Sequence, residues 1–276
     1  EKFCWKDKQV LYKQFRKAVQ QFSDFAEHKG SWQIYWAAGI GTMSSTTAEL
    51  TTETETLQVL LDLLGEDASL MSREGIMAFS SSAGAIYAGS SDELICEKTP
   101  VAPTTDYARE KLRQEDVLSR FADARENFSV LLARISTLYG PGQAQGKRQG
   151  LLAHIARCLV RNQSVHIYVP FDTIRDYITA DDAAFVMTEM SDLLTGDPGV
   201  HIKIVASEEP TTIAEIISVF KRITRRRPRI VSSASRLSDL YTRRTQFRSV
   251  VSTRLNRVKK TSLLVGIWQV MEAERM

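Results

Sequence analysis

Three residues of this chain have the chemistry for proton and hydride transfer at a carbinol carbon: Ser82, Tyr107 and Lys111. A tyrosine serves as general acid/base when its phenol is made more acidic, and an ammonium one helical turn away does that. A serine hydroxyl can polarise the same substrate oxygen. The Tyr-x-x-x-Lys spacing is weak by itself. Eight Tyr and 13 Lys in 276 residues would give about 0.4 such pairs by chance. The serine run SSSAGAIYAG, 25 residues upstream of Tyr107 and directly after an apolar strand-like segment, makes the pattern far more specific.

The elements needed to hold these residues follow from periodicity. Val10 to Glu27 carries apolar residues at helical spacing, and Trp32 to Ala38 reads as a strand. Leu50, Leu57, Leu60, Leu61 and Leu64 define a second amphipathic helix, with Gly65 as its expected end. Gly75 to Ser80 reads as the next strand. Thr105 or Asp106 is placed to cap a helix carrying Tyr107 and Lys111 on one face. Phe128 to Ala133 reads as a buried strand. Such alternation predicts a parallel sheet with helices on both faces.

The serine run with Tyr107 and Lys111 resembles the extended short-chain dehydrogenase/reductase family, the NAD-dependent epimerases and dehydratases of nucleotide sugars. Further segments agree in order: WQIYWAAGIG (32–41), LLARISTLYGPG (131–142), RDYITADDAA (175–184) and IKIVASEEPTTIAEII (202–217). The resemblance implies a Rossmann-like, doubly wound α/β fold with a smaller α/β substrate lobe. The dinucleotide-binding part would occupy residues 1–140 and the substrate lobe mostly 141–276, with strands near 165–168 and 201–206 interleaved with the first. It implies Ser82, Tyr107 and Lys111 as catalytic. Cofactor contacts follow at Asp7, Ala37, Ala38, Gly39, Ser80, Tyr107, Lys111 and Ser136. Substrate contacts follow at Ser82, Ala83, Tyr87, Thr137, Arg175 and Arg248. In the implied mechanism Lys111 bonds the nicotinamide ribose and acidifies Tyr107, which takes the proton of a sugar hydroxyl as hydride leaves its carbon. An epimerase returns the hydride to the other face; a reductase stops after one transfer. NAD or NADP is the implied cofactor, a nucleotide sugar the partner, and a homodimer is compatible.

Departures from the family narrow this reading. Its 4,6-dehydratases carry an Asp-Glu pair after the serine or threonine, where this chain has Ala83 and Gly84, so that reaction is excluded. Ser136 and Thr137 stand where many relatives place an asparagine. No Gly-x-x-Gly-x-x-Gly, the backbone cradle for a pyrophosphate, precedes the Ala37-Ala38 turn. The opening EKFCWKDKQVL resembles the end of the third strand, with Asp7 at an adenine-contacting position. These features predict a chain lacking a ~30-residue βαβ unit, with the edge of the Trp32 strand left open.

Composition fits an ordinary globular protein. The chain is 43% hydrophobic, enough for a sizeable core. Cys4, Cys96 and Cys158 are odd in number and widely spaced, which argues against a disulfide framework and for a reducing compartment. No apolar run approaches the ~20 residues that span a bilayer, and no secretory leader is visible. The chain therefore reads as soluble and cytoplasmic. His28, His154, His166 and His201 lack ligand spacing, so no metal is expected. Gly140 to Gly150 imitates a phosphate loop, yet Pro141 replaces its first glycine and Arg148 follows Lys147 where a hydroxyl is needed.

Charge is uneven. Residues 221–260 hold 14 Lys and Arg against the single acid Asp239, leaving the rest of the chain net negative. Arginine suits phosphate through its planar fork, so this segment fits the diphosphate of a sugar nucleotide; the plainer alternative is a solvated face. Nucleic acid is the weaker partner, since no aromatic platform is evident beside the arginines. A dinucleotide-binding scaffold without catalysis is the remaining alternative, opposed by the intact Ser82, Tyr107 and Lys111.

Overall fold

Hydrophobic residues at helical and strand spacing set the order of elements in a computed structural model, which describes residues 3–39, 41–43, 45–143, 150–232 and 244–275. In chain order these are α1 (Lys8–Ala26), β1 (Ser31–Trp36), α2 (Thr47–Glu66), α3 (Ala68–Met71), β2 (Glu74–Ser82), α4 (Ala83–Ile86), α5 (Asp106–Asp123), β3 (Phe128–Ile135) and β4 (Thr137–Tyr139). There follow α6 (Leu151–Val160), β5 (Val165–Ile167), β6 (Ile174–Thr179), α7 (Ala180–Leu193), β7 (Gly199–Val205), β8 (Pro210–Thr212), α8 (Ile213–Thr224), β9 (Ile230–Ser232), α9 (Thr253–Asn256) and α10 (Leu263–Arg275). A four-stranded sheet has the order β1-β2-β3-β7, with β1 and β2 parallel and Trp32 in register with Gly75. The expected alternation and parallel sheet are present.

Two compact units share the chain in alternation. The first comprises 1–81, 105–133 and 190–202; the second comprises 82–104, 134–189 and 203–276.

In the first unit α1 buries Leu11, Phe15 and Val19, and α2 buries Leu57, Leu61 and Leu64. Burying each such side chain contributes about 1.5–3 kcal/mol of transfer free energy. Gly75 is required because a Cβ there would lie 2.3 Å from the indole of Trp32, which packs across it. Helix starts are fixed by side-chain caps. Thr46 and Glu49 form a reciprocal capping box on α2, and Thr105 accepts from the Ala108 amide on α5.

Two local expectations differ from the structure. Among the described residues 3–7 there is no strand; Phe3 and Trp5 instead lie edge-on to Phe15, with ring centroids 5.2 and 6.0 Å apart. The aromatic contacts with α1 hold this segment in place of a ladder. Nor does Gly65 end α2, which continues to Glu66; a Cβ at Gly65 would lie 2.7 Å from Arg125, whose guanidinium stacks on Phe121. That glycine serves packing.

In the second unit α6, α8 and α10 pack around Leu152, Ile155, Ile216, Phe220, Ile267 and Val270. β4 pairs with β6 in parallel, β6 with β8 antiparallel, and β5 with β9 in parallel. A buried lysine ties its loops. Lys203 donates to Ser249 Oγ (2.6 Å), Val251 O (2.7 Å) and Asn256 Oδ1 (2.8 Å), while Glu97 accepts from the Ile204 and Val250 amides. Burial pulls Lys203 down to about 8 from its ordinary 10.5, against the opposing pull of Glu97 and Glu208. Between those two values the unfolded chain holds the extra proton, so this group's contribution to stability rises with pH. The urea midpoint of the wild type should therefore gain on that of Lys203→Met as pH climbs from about 8 to 10; midpoints that keep a constant separation would contradict this.

Among the described residues, no helix is long and apolar enough to cross a membrane, and no cluster of three His, Cys, Asp or Glu could hold a metal ion. All three cysteines are free.

Candidate active site

In the first unit, the face of α5 turned inward mixes the apolar Ala108, Leu118, Phe121 and Ala122 with four polar side chains, which is unusual for a packed helix. Glu110, Lys111, Gln114 and Glu115 are all buried. Buried charges must be paired or hydrogen-bonded, and each of these has a partner. Thr54 of α2 donates to Glu110, and Ser81 at the end of β2 donates to Glu115 at 2.6 Å. Lys111 Nζ donates to Gln114 Oε1 at 3.1 Å and lies 4.8 Å from the centroid of the Phe79 ring and 6.0 Å from that of Tyr107. Only 7% of Lys111 is exposed. Burial lowers its pKa, and the carboxylates of Glu53 and Glu115 act in the opposite direction. Tyr107 itself is half-buried. The Tyr-x-x-x-Lys spacing thus does place an ammonium against the tyrosine ring, as one helical turn requires.

The turn after β1 belongs to the same unit. Ala37 and Gly39 are exposed, and Ala38 and Ser80 are partly exposed. Gly39 has φ +152°, and a Cβ there would lie 3.2 Å from the Glu53 carboxylate. The Gly41 amide donates to Glu53 Oε1. Asp7 caps α1: its Oδ1 accepts from the Gln9 and Val10 amides at 2.9 and 3.0 Å. Those two amides have no intrahelical acceptor, which is why an aspartate is stable there.

In the second unit, Ser82 occupies the N-cap position of α4, is partly exposed, and makes no capping hydrogen bond with its side chain. Ala83 is fully buried in the first turn of that helix. Tyr87 is 1% exposed, and Arg134 donates to its hydroxyl at 2.5 Å. Ser136 Oγ donates to Asp176 Oδ1 at 2.6 Å, and the same carboxylate accepts from the amide and hydroxyl of Ser207. Burial raises the pKa of Asp176 while these hydrogen bonds oppose the rise. Thr137, partly exposed, lies in register with Tyr177, two residues beyond Arg175. Arg175 Nη1 donates to the Ile174 carbonyl. The Thr245 amide bonds that same carbonyl, so the segment bearing the exposed Arg248 runs beside β6.

Sequence reasoning missed Glu53, Gln114, Glu115, Arg134 and Asp176. Gln114 and Glu115, three and four residues after Lys111, were open to the same spacing argument. The others meet their partners only through tertiary packing. The basic segment is described in part: Lys221, Arg222, Arg225, Arg226, Arg227 and Arg229 are exposed, while 233–243 lie outside the described residues. Gly146 and Lys147 of the rejected phosphate loop lie outside them too.

Residues 19–204 match the model of the NAD dependent epimerase/dehydratase family. The chain belongs to this family. Its fold matches UDP-glucose 4-epimerase of Thermus thermophilus, solved with NAD, at a TM-score of 0.77 and 20% identity, covering 98% of this chain and 83% of that one. UDP-glucose 4-epimerase of Thermotoga maritima, solved with UDP-glucose, matches at 0.74 and 21% identity, over 94% and 82% of the two chains. UDP-glucuronic acid 4-epimerase of Bacillus cereus, solved with UDP-glucuronic acid and NAD, matches at 0.71 and 16%, over 91% and 77%. At these identities the likeness is one of fold. No curated protein matches the chain in sequence.

Proposed function

We propose that this epimerase/dehydratase-family chain is an NAD-dependent nucleotide-sugar epimerase, with Tyr107 as its acid/base. The observation that carries the reading is the buried Lys111 ammonium beside Tyr107. Among the described residues Gln114 alone accepts a hydrogen bond from it, so two N–H donors remain for a ligand's oxygens, a donor set suited to the vicinal hydroxyls of a ribose. The small residues Ala37, Ala38 and Gly39 leave room for close approach. NAD, when bound, supplies a hydride acceptor beside the carbinol carbon. Lys111 stabilises the phenolate of Tyr107, and Tyr107 removes the hydroxyl proton from the sugar and returns it after the other face is exposed. Ser82 keeps the role the resemblance gives it, a hydroxyl bonded to the sugar oxygen. Arg175 and Arg248 fit the diphosphate.

The division of labour follows the same reading: residues 1–140 serve the dinucleotide and 141–276 mostly the substrate. A reducing cytoplasm suits the three free cysteines. The test is direct. Incubation with NAD and UDP-glucose should yield the 4-epimer, seen in the anomeric proton signals, without net NADH. Accumulating NADH with a single oxidised product would assign an oxidoreductase instead, and unchanged sugar in the presence of bound NAD would refute turnover of this substrate.

A further inference from the structure

In the second unit, residues 244–250 run as an extended segment whose side chains alternate. Thr245, Phe247 and Ser249 are buried, while Arg244, Arg248 and Val250 are exposed. Period two is the signature of a strand-like backbone. The first half of the segment is pinned by main chain. The Thr245 amide donates to the Ile174 carbonyl, the Ile95 amide to Gln246 O at 2.9 Å, and the Arg248 amide to Ile95 O at 2.9 Å. The second half is pinned by side chains. The Ser249 amide donates to Glu208 Oε1 at 2.9 Å and the Val250 amide to Glu97 Oε2 at 2.8 Å. Asn256 Nδ2 donates to the Ser249 carbonyl at 2.8 Å, and Lys203 donates to that of Val251. Two non-glycine residues beside this stretch, Glu208 and Ser252, have left-handed backbones (φ +64° and +44°), a conformation that persists where the surroundings over-determine it.

At the centre, the Ser249 hydroxyl accepts from Lys203 Nζ and donates to Glu97 Oε1, so one serine joins a buried cation to a carboxylate. The three N–H donors of Lys203 meet three acceptors, in Ser249, Val251 and Asn256. The lysine therefore has no donor to offer a ligand, and its charge acts within the fold. Apolar packing often stabilises as well as a buried ion pair does; what a fully bonded polar network can add is a single geometry for the groups it holds. Here that geometry is imposed on the backbone directly after Arg248. We propose that Glu97 and Lys203, joined through Ser249, are positioning residues that fix the backbone on which Arg248 is presented to the substrate's diphosphate. The inference rests on the proposed function, which gives Arg248 to that group. An arginine binds phosphate through a planar fork, so a wandering backbone costs it the paired hydrogen bonds even with the guanidinium intact.

The test is a double-mutant cycle read by calorimetric titration of the full chain with UDP, a nucleoside diphosphate lacking the hexose. Arg248→Gln should weaken UDP binding by about ten-fold. Glu97→Gln keeps the shape of the side chain but turns its NH2 group toward either the Val250 amide or the Ser249 hydroxyl, and Ser249→Ala removes the bridge. Each should weaken UDP binding by about three-fold or more. In the Arg248→Gln background the same two substitutions should cost almost nothing further, because the group they position is gone. A general loosening of the fold lacks that dependence, since its cost persists in both backgrounds. UDP binding equal to wild type in Glu97→Gln and Ser249→Ala would overturn the proposal, as would losses that add in full to that of Arg248→Gln. A wild type that binds no UDP, or an Arg248→Gln variant that binds it as tightly, would refute the assignment of Arg248 to the diphosphate and this inference with it. The epimer assay reads the reaction separately.

Discussion

Tyr107→Phe should lower kcat for sugar-nucleotide epimerisation by about 10²–10⁴-fold, the range for losing a positioned general acid/base. The substitution deletes one hydroxyl from a half-buried ring and leaves the Thr105 cap and the inward face of α5 in place. Fold and cofactor affinity should therefore be preserved, and steady-state kinetics with a parallel thermal melt check both. Loss of kcat with an unchanged melting temperature would place the effect in chemistry. A variant that turns over within a few-fold of wild type would remove Tyr107 from the mechanism.

Lys111→Met should have the next largest effect, on binding as well as rate. Methionine fills the space under the Phe79 ring without the charge. It deletes the bond to Gln114 and the two donors left for a ligand. Hydrogen bonds to charged groups contribute about 1.5–3 kcal/mol each, so the affinity for NAD should fall by about ten-fold or more. The variant also removes a buried positive charge on which the carboxylates of Glu53 and Glu115 act. Removing a buried cation from beside carboxylates destabilises the fold, so some loss of stability accompanies the loss of binding. Calorimetric titration of wild type and Lys111→Met with NAD separates the two consequences, since a folded variant binding NAD as tightly as wild type would exclude the lysine from the cofactor site.

How far the sequence carried this picture depends on the distance over which each side chain finds its partner. Tyr107, Lys111 and the Thr105 cap were legible because helical spacing alone brings them together. The parallel sheet was legible in the alternation of Trp32–Ala38, Gly75–Ser80 and Phe128–Ala133 with amphipathic helices. The environments of Tyr87 and Ser136 were not, because their partners lie 47 and 40 residues away in Arg134 and Asp176. Asp7 illustrates a different limit. Its carboxylate satisfies two orphan amides at the start of α1, a cap that reading the residue through a family's pattern did not name. Glu53 was hidden for a related reason. On α2 it is one of several glutamates at ordinary spacing, and only the fold sets its carboxylate against Gly39 and Gly41.

The most direct test of the account is fluorescence titration of the 276-residue chain with NADH. The account predicts saturable enhancement of nucleotide fluorescence, weakened in Lys111→Met and retained in Tyr107→Phe. A folded chain that gives no saturable change would contradict the claim that Lys111 and the turn after β1 form a dinucleotide site.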